Sequence, residues 1–430
     1  MMERLLFCLV LCTCIGVPSA EAQRHEVWLI DQSNSPGKAF GGTIYIFDGA
    51  SLAGGAAPGA AAEMIDLADE AATLCVAETG ANPVRPHMLM FNATETHAIL
   101  SFVASGHVVL FDAAAREPVG CVRTSIGAGG ARQAHAAFPS PDDSYILVAN
   151  QNGKLLERID TDYATNTFAF DPSATLDLAL CFTPNAIPCE GPGIRPDNAP
   201  ICPVIDGTGD LGFITLRGGG LFVVNPRTNP MSILAEYDHA AVHGNGCGGA
   251  MAGGSLFIDS GGGTAANLHE FDVYRFPLTG YSGLNPPNVP APLVVYSDDG
   301  AGRDAHGMVV TKHGQYLWVF DRGGNLAEVF DVATNARLQP VELAGAVSAD
   351  PAPDLGDIAP AGNRLYMSLR GPTPLTGDPH VATGSTPGLG VIQLDHGGKG
   401  GSLKSLVRIS NIDAAGIERA DAHGVRVRRK

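Results

Sequence analysis

The chain of 430 residues is acidic, with 44 Asp and Glu against 27 Lys and Arg and a formal net charge of −17. This balance argues against nucleic acid and anionic lipid surfaces as partners, because both attract clusters of positive charge. Only 17% of the residues are charged, whereas glycine occurs 54 times and proline 30 times. Such a composition is typical of a turn-rich all-β protein rather than a helical or disordered one.

The first 22 residues have the features of a secretory signal peptide. Arg4 precedes an apolar segment at 5–17, and Ala20 and Ala22 form a small-residue cleavage pattern. We therefore expect cleavage before Gln23, which leaves 23–430 as a single exported domain. No later apolar stretch is long enough to span a membrane, so we expect no membrane insertion and a periplasmic or secreted location.

The rest of the chain gives few helical signals. The stretch 60–72, rich in alanine, is the only helix candidate and lacks a clear capping residue. Elsewhere, short apolar runs alternate with turn residues, a pattern that predicts strands.

Apolar runs that end in Asp or Asn and lead into a turn recur along the chain. Six of them stand at 43–48, 108–112, 155–160, 221–225, 326–331 and 390–395, with a degenerate seventh at 271–276. Repeats of roughly 40–50 residues made of short strands indicate the four-stranded blades of a propeller. Seven copies predict an all-β, seven-bladed β-propeller.

The two ends of the chain are expected to share one blade. The run 26–30 resembles a second strand without an inner partner, whereas the segment after His423 resembles an inner strand without the rest of its blade. We expect the C-terminal strand to complete blade 1 and close the ring, because closure removes unpaired strand edges.

A second repeat places ligand-type side chains at the start of each innermost strand. A histidine stands ten residues before three of the apolar second strands, and the same spacing leads to other polar residues in further repeats. In blade order the register contains His423, His87, His135, Cys202, Asn245, His306 and Asp354. Residues at one register of the inner strands surround one mouth of the central channel.

The strongest ligands in this register occupy neighbouring blades. Counted around the closure, five contiguous blades supply them: His306, Asp354, His423, His87 and His135. Imidazoles with a carboxylate suit zinc, copper, iron or manganese, so we predict a divalent transition metal at this site. The alternative is a polar channel that holds ordered water without a metal.

Six cysteines follow the signal segment, and fifteen complete pairings are formally open to them. Cys181 and Cys189 would close a short loop, and Cys75 and Cys121 would join the outer parts of successive repeats. Cys202 and Cys247 stand at or near ring positions of adjacent repeats. In an exported protein a third disulfide is the expected outcome for this pair, with thiolate ligation of a metal as the alternative.

The repeats resemble the YVTN/lactonase-like propellers. The resemblance lies in units such as 85–92 (Arg-Pro-His-Met-Leu-Met-Phe-Asn) with 109–112, and 304–310 (Asp-Ala-His-Gly-Met-Val-Val) with 329–331. It covers nearly the whole chain after the signal segment and implies a propeller fold. Lyases, copper-dependent oxidoreductases, lactonases and metal carriers are similar to one another at this level, so the resemblance implies no single activity.

Four arginines precede ring histidines by two to four residues, namely Arg85, Arg132, Arg303 and Arg419. They would either form a positive collar that attracts an anionic substrate or pair with carboxylates of neighbouring blades. His243 is expected to reach the same mouth. The histidines outside the register are expected on surfaces and loops: His97, His107, His239, His269, His313, His380 and His396.

Three classes of function are compatible with these patterns. The first is a metalloenzyme, an oxidoreductase or a lyase, that acts on a small substrate with His306 as general base. The second is a periplasmic carrier that passes zinc or copper to a transfer partner from Asp354, His423, His87 and His135, since a closed site with four protein ligands favours storage. The third is a non-catalytic scaffold.

Overall fold

The computed structural model describes residues 24–52, 62–262, 270–375 and 383–430, and its strands form seven four-stranded antiparallel sheets. Blade 2 contains β4 (Pro86–Phe91), β5 (His97–Phe102), β6 (His107–Asp112) and β7 (Glu117–Arg123). Blade 3 contains β8 (Ala134–Pro139), β9 (Tyr145–Asn150), β10 (Leu155–Asp162) and β11 (Thr167–Asp177). Blade 4 contains β12 (Pro200–Ile205), β13 (Gly212–Leu216), β14 (Leu221–Asn225) and β15 (Ser232–Tyr237). The predicted signal segment lies outside the described residues.

The remaining blades have the same up-and-down order. Blade 5 contains β16 (Gly249–Ala252), β17 (Ser255–Gly261), β18 (Phe271–Pro277) and β19 (Leu293–Asp298). Blade 6 contains β20 (Ala305–Val310), β21 (Tyr316–Asp321), β22 (Leu326–Asp331) and β23 (Val341–Glu342). Blade 7 contains β24 (Pro353–Ile358), β25 (Arg364–Leu369), β26 (Gly388–Asp395) and β27 (Gly400–Arg408).

Blade 1 is assembled from both ends of the chain. Its order is β28 (Ala422–Arg429), β1 (His25–Asp31), β2 (Thr43–Asp48) and β3 (Glu63–Asp66), with β28 antiparallel to β1. The first strands of successive blades contact one another from β16 through β20, β24, β28, β4 and β8 to β12. The predicted seven-bladed propeller and its closure by the C-terminal strand are therefore confirmed.

Apolar side chains between the blades form the core. Each blade is packed between two others, so both faces of its middle strands are buried, as in β5 and β9. This explains why the sequence shows continuous apolar runs there instead of strict alternation. The indoles of Trp28 and Trp318 are fully buried, and removal of such surfaces from water stabilises the fold by about 25 cal/mol per Å².

The helix prediction is wrong in its bounds. Helix α1 spans Glu70–Thr79 and ends at Gly80, whose φ of 74° places it in the left-handed region that glycine adopts readily. Within the predicted range 60–72, strand β3 pairs with β2 instead. Alanine favours helix locally, but hydrogen bonding to the blade edge decides the structure of 63–66. No helix in the described ranges is long and apolar enough to cross a membrane.

Three disulfides link the cysteines in the expected pairs. Cys75 of α1 bonds Cys121 of β7, Cys181 bonds Cys189, and Cys202 bonds Cys247. The alternative of thiolate ligation by the last pair is not what the structure shows. Three disulfides indicate an oxidising, extracytoplasmic environment.

Candidate metal centre in the central channel

The ring residues stand at β-bulges. His87, His135, His306, Asp354 and His423 are each the second residue of a first strand, and the pairing of that strand with its neighbour shifts at this point. A bulge turns a side chain out of the normal alternation of a strand. The repeated bulge therefore gives these five residues a common placement, and all five are buried.

Hydroxyl groups of the second strands hold the bulges. Ser101 donates from Oγ to the carbonyl of His135 at 2.9 Å and accepts from the backbone N–H of Met88 at 3.3 Å. In blade 7 the hydroxyl of Ser368 accepts from the N–H of Leu355 at 2.9 Å. These bonds satisfy backbone groups that the bulge leaves outside the sheet.

Three of the five side chains form one group at blades 6, 7 and 1. The ligand atoms of His306, Asp354 and His423 all lie within 4.8 Å of one another. His306 Nε2 is 3.0 Å from Asp354 Oδ1, and His423 Nε2 is 3.8 Å from Asp354 Oδ2. Within the described residues, no hydrogen bond of regular geometry is formed by His306 Nε2 or by either Asp354 oxygen. Such separations would let the three atoms ligate one cation, or let Asp354 orient His306 as a base beside it.

His87 and His135 form the adjoining pair. Their Nε2 atoms are 3.2 Å apart, within the range expected for two nitrogens bound to one metal ion. The ring of His87 lies 3.8 Å, centroid to centroid, from the ring of His423. The five side chains thus form a continuous series of contacts from blade 6 to blade 3.

Fixed acceptors assign the tautomers of three imidazoles. His135 Nδ1 donates to the carbonyl of Ile201, and His423 Nδ1 donates to the carbonyl of His87, both at 2.9 Å. His87 Nδ1 donates to Gln32 Oε1 at 2.8 Å, while Gln32 Nε2 donates to Asp421 Oδ2 at 2.5 Å and so fixes the orientation of the amide. The Nε2 atoms of these neutral rings therefore carry lone pairs, as metal ligands require.

Burial and mutual repulsion keep the imidazoles neutral. Burial lowers the pKa of His87 well below its ordinary value, and the charges that His423 and His135 would carry lower it further. Burial likewise lowers the pKa of His306 and of His423. Two facing Nε2 lone pairs 3.2 Å apart repel each other, and a cation between them would remove that repulsion. The donor set therefore fits a transition metal.

Asp354 remains ionised although it is buried. Burial by itself would raise the pKa of this carboxyl, but any positive charge on His423 or His306 and the permanent charge of Arg370 lower it well below its usual range. Arg370 Nη1 is 3.0 Å from Asp354 Oδ2, and Arg322 Nη1 is 3.7 Å from Asp354 Oδ1. The same arginines bind Asp421 and Asp304 through two nitrogens each.

Three further residues, Gln32, Arg322 and Arg370, contact the ring and were not predicted. Each follows the last residue of a second strand, β1, β21 or β25, and each reaches the ring residues from there. A signal was present in the sequence, since Gln151 and Arg217 follow β9 and β13 in the same way. This position forms a second register, of which Gln32, Arg322 and Arg370 support ring side chains.

Other predicted participants are bound to other partners. His243 is held by Glu270 and Asp272 in blade 5. Cys202 is in its disulfide, whose sulfurs lie within 4.8 Å of a ring nitrogen of His135. The arginines do not form a shared collar: Arg303 pairs with Asp298, Asp321 and Glu328, and Arg419 pairs with Asp413. Arg85 and Arg132 donate to the carbonyls of Leu375 and Thr124.

Two histidines outside the register are buried, contrary to expectation. His97 bonds Asn166 and packs against Tyr163, and His107 accepts or donates at Thr79 Oγ1 over 2.8 Å. Each of these histidines is the first residue of its strand, and the next blade or α1 covers it. His313 and His396 are exposed as expected, while His269 and His380 lie outside the described residues.

Comparison with known proteins identifies the fold. No protein-family model and no curated protein sequence match the chain. A periplasmic gluconolactonase of Pseudomonas aeruginosa aligns with a TM-score of 0.56 at 14% identity, covering 94% of this chain and 99% of the other. A Bacteroides fragilis protein described as a proposed 6-phosphogluconolactonase gives 0.57 at 13% identity, covering 95% and 99%.

A third similar structure comes from Lactobacillus plantarum, with a TM-score of 0.58 at 13% identity over 94% of this chain and 99% of the other. Similarity at identities this low shows a shared fold and says nothing about a shared activity. The predicted resemblance is confirmed at that level: the chain has the fold of the lactonase-like seven-bladed β-propellers.

Proposed function

We propose that this protein is an exported metal-binding propeller whose channel site binds a divalent transition metal and acts on a small substrate. The metal would be held by His87, His135, His423 and Asp354, with His306 beside them. The three disulfides support export to an oxidising compartment. They agree with the signal segment expected at 1–22.

The arrangement of the imidazole nitrogens carries this proposal. Three buried histidines donate from Nδ1 to oxygen acceptors, so that their Nε2 lone pairs remain for a ligand. Hydrogen-bond acceptors that orient imidazoles in this way are characteristic of metal centres.

The chain's own residues suggest a division of roles. A bound metal would supply a Lewis acid or a redox centre. His306 contacts Asp354 and lies at the end of the series, so we assign it the role of general base, with Asp354 as its orienting partner. Arg370 and Arg322 hold Asp354 in place.

A cavity beside the residues that support the site suits a small polar ligand. It has a volume of about 340 Å³ between blades 7 and 1, and Lys38, Arg419 and Asp413 are among its lining residues. Ser33 also lines it and directly follows Gln32, the partner of His87. Two proteins of similar fold are described as lactonases, so sugar lactones and their acids are the first substrates to assay.

Burial of the ligands favours a second candidate, a metal carrier. The exposed fraction is 5% for His87, 1% for His423 and 0% for Asp354. A site enclosed by four protein ligands suits storage and transfer better than turnover of a substrate. In that case the partner would be a protein or chelator that accepts the metal.

Titration of the chelator-treated full chain with Zn²⁺ tests metal binding. We expect the double variant His87→Ala/His423→Ala to lose one tightly bound equivalent while its circular dichroism spectrum stays unchanged, because stability comes from apolar packing between blades. A matched control, His313→Gln/His396→Gln, removes two exposed histidines and should bind as the parent does. Equal binding by the channel variant would refute the site.

A single substitution separates the enzyme from the carrier. His306→Gln should retain the bound Zn²⁺ and abolish metal-dependent turnover if His306 is a general base. Loss of metal in this variant would instead make His306 a ligand. Absence of turnover in the parent, together with release of Zn²⁺ to an acceptor chelator, would favour the carrier.

A further inference from the structure

A second group of ligand-type side chains lies in blade 5, outside the channel series. It consists of His243, which precedes β16, and of Glu270 and Asp272 at the start of β18, with ligand atoms all within 4.8 Å of one another. Glu270 and Asp272 are two positions apart along an extended chain, so their side chains leave it on the same face.

Both carboxylates approach the same nitrogen of the imidazole. His243 Nδ1 is 2.7 Å from Asp272 Oδ2 and also contacts Glu270 Oε1. A ring nitrogen carries at most one hydrogen, so the two oxygens have to share it. Three ligand atoms therefore lie close together, and one proton on the imidazole cannot compensate both carboxylates.

The two carboxylates are buried while the imidazole is open to solvent. The side chains of Glu270 and Asp272 are 7% and 2% exposed, whereas that of His243 is 46% exposed. Two carboxylates buried side by side repel each other unless a proton or a cation lies between them. A divalent cation would compensate both charges, and the exposed His243 leaves it a path from the solvent.

The surrounding hydrogen bonds hold these ligands in place. The hydroxyl of Tyr274 donates to Asp272 Oδ2 at 3.1 Å and accepts from the N–H of His243 at the same distance. The hydroxyl of Ser260 donates to the carbonyl of His243 at 2.7 Å. The loop that carries His243 is therefore fixed to β17 and to β18, the strand that contains Asp272.

We propose that His243, Glu270 and Asp272 form a second divalent-metal site, distinct from the channel site. One imidazole and two carboxylates match Zn²⁺ or Mn²⁺, with the remaining coordination positions open to water. The carbonyl of Glu270 accepts from the N–H of Ala305, the neighbour of His306. The outer site therefore lies beside blade 6, at the face of the propeller where the inner strands begin.

Calorimetric titration of the full chain with Zn²⁺, after treatment with chelator, tests this site. The parent should bind two equivalents, and the channel variant His87→Ala/His423→Ala should keep one. The variants Glu270→Gln and Asp272→Asn preserve the shape of the side chains. Each should lose the outer equivalent of Zn²⁺ or bind it at least tenfold more weakly than the parent. Glu342→Gln removes an exposed carboxylate and serves as the matched control.

The outcomes distinguish the two sites. The second site is overturned if the channel variant binds no Zn²⁺, or if Glu270→Gln binds as much as the parent. If the channel variant loses nothing and Glu270→Gln loses one equivalent, the outer site stands and the channel proposal fails. X-ray absorption of Zn²⁺ bound to the channel variant should show one nitrogen and several oxygen ligands, and a shell with several imidazoles would contradict the assignment.

Discussion

The orientation of single imidazoles decides what the channel can bind. His87 depends on Gln32, and Gln32 depends in turn on Asp421, which Arg370 holds through two nitrogens. The tautomer of one ligand is thus set by a series of partners from three parts of the chain. Changes in these partners should alter metal affinity without removing a ligand.

The variant Gln32→Leu tests this dependence. It removes the acceptor for His87 Nδ1, so the ring can rotate and take the other tautomer, and we expect Zn²⁺ affinity to fall about 10- to 100-fold. Competition with a chromophoric chelator measures the change. Gln315→Leu, at an exposed position, is the control, and equal affinity of the two variants would show that Gln32 does not orient the ligand.

His107 should make stability depend on pH. Burial, followed by repulsion from Arg123 and Arg132, lowers the pKa of His107 to about 3 from an ordinary value of 6.5. Between these values the unfolded chain binds a proton that the folded protein does not, so the contribution of this residue to stability falls as pH falls below 6.5.

The variant His107→Gln isolates that effect. Relative to the variant, the free energy of unfolding of the parent should fall by about 1.4 kcal/mol for each pH unit below pH 6.5. Above pH 6.5 the difference between the two free energies of unfolding should be constant. Urea unfolding at several pH values measures the difference. A constant difference down to pH 4 would mean that His107 is protonated in the folded protein.

The candidate ligands could be found from the sequence, but the contacts of their supporting residues could not. A fixed spacing from apolar strands led to His87, His135, His306, Asp354 and His423, because that spacing reports a repeated backbone position. The position of Gln32 and Arg370 after a second strand is visible in the sequence, but their partners are 55 residues away in one case and 51 in the other. Such pairings depend on how neighbouring blades meet, which no local pattern reports.

At the scale of strands, the β-bulge is the element that builds the site. It recurs in the five first strands that carry His87, His135, His306, Asp354 and His423. Hydroxyls such as those of Ser101 and Ser368 complete its hydrogen bonds. The spacing of the strands could be predicted from the apolar runs. The bulges could not be predicted, because an extra residue in one strand is recognised only when its pairing with the neighbouring strand is known.

Strand β28 has a double role, since it completes blade 1 and carries His423. Truncation after Asp421 should leave β1 as an unpaired inner edge, and we expect most of the product to be insoluble or to melt at a much lower temperature. Removal of Lys430 alone is the control. A truncated protein with the melting temperature of the parent would show that closure is not needed for stability.

Local composition does not determine the structure of the segment that contains β3 and α1. Alanine content predicted a helix at 60–72, yet 63–66 is strand and the helix extends to Thr79. The edge of blade 1 offers β3 a partner, and the disulfide from Cys75 to Cys121 holds α1 against β7. Tertiary contacts therefore override propensity at this edge.

For the whole molecule, the ring of blades positions the ligands and does not require them. The apolar clusters lie between blades, whereas the candidate ligands line the channel. Removal of metal should therefore lower stability only by the linkage free energy of a bound ligand, about 2.7 kcal/mol when free Zn²⁺ exceeds its Kd 100-fold. Thermal unfolding across a range of free Zn²⁺ measures this, and complete unfolding of the chelated protein would mark the metal as structural.

The most direct test is the metal content of the full chain purified from its own host without chelators or an affinity tag. Elemental analysis should find one equivalent of a transition metal more in the parent than in His87→Ala/His423→Ala prepared in the same way. The difference between the two proteins isolates the channel site from any metal bound in blade 5. Equal metal content in both proteins would contradict the account and leave the channel as a structural network of histidines, Asp354 and arginines.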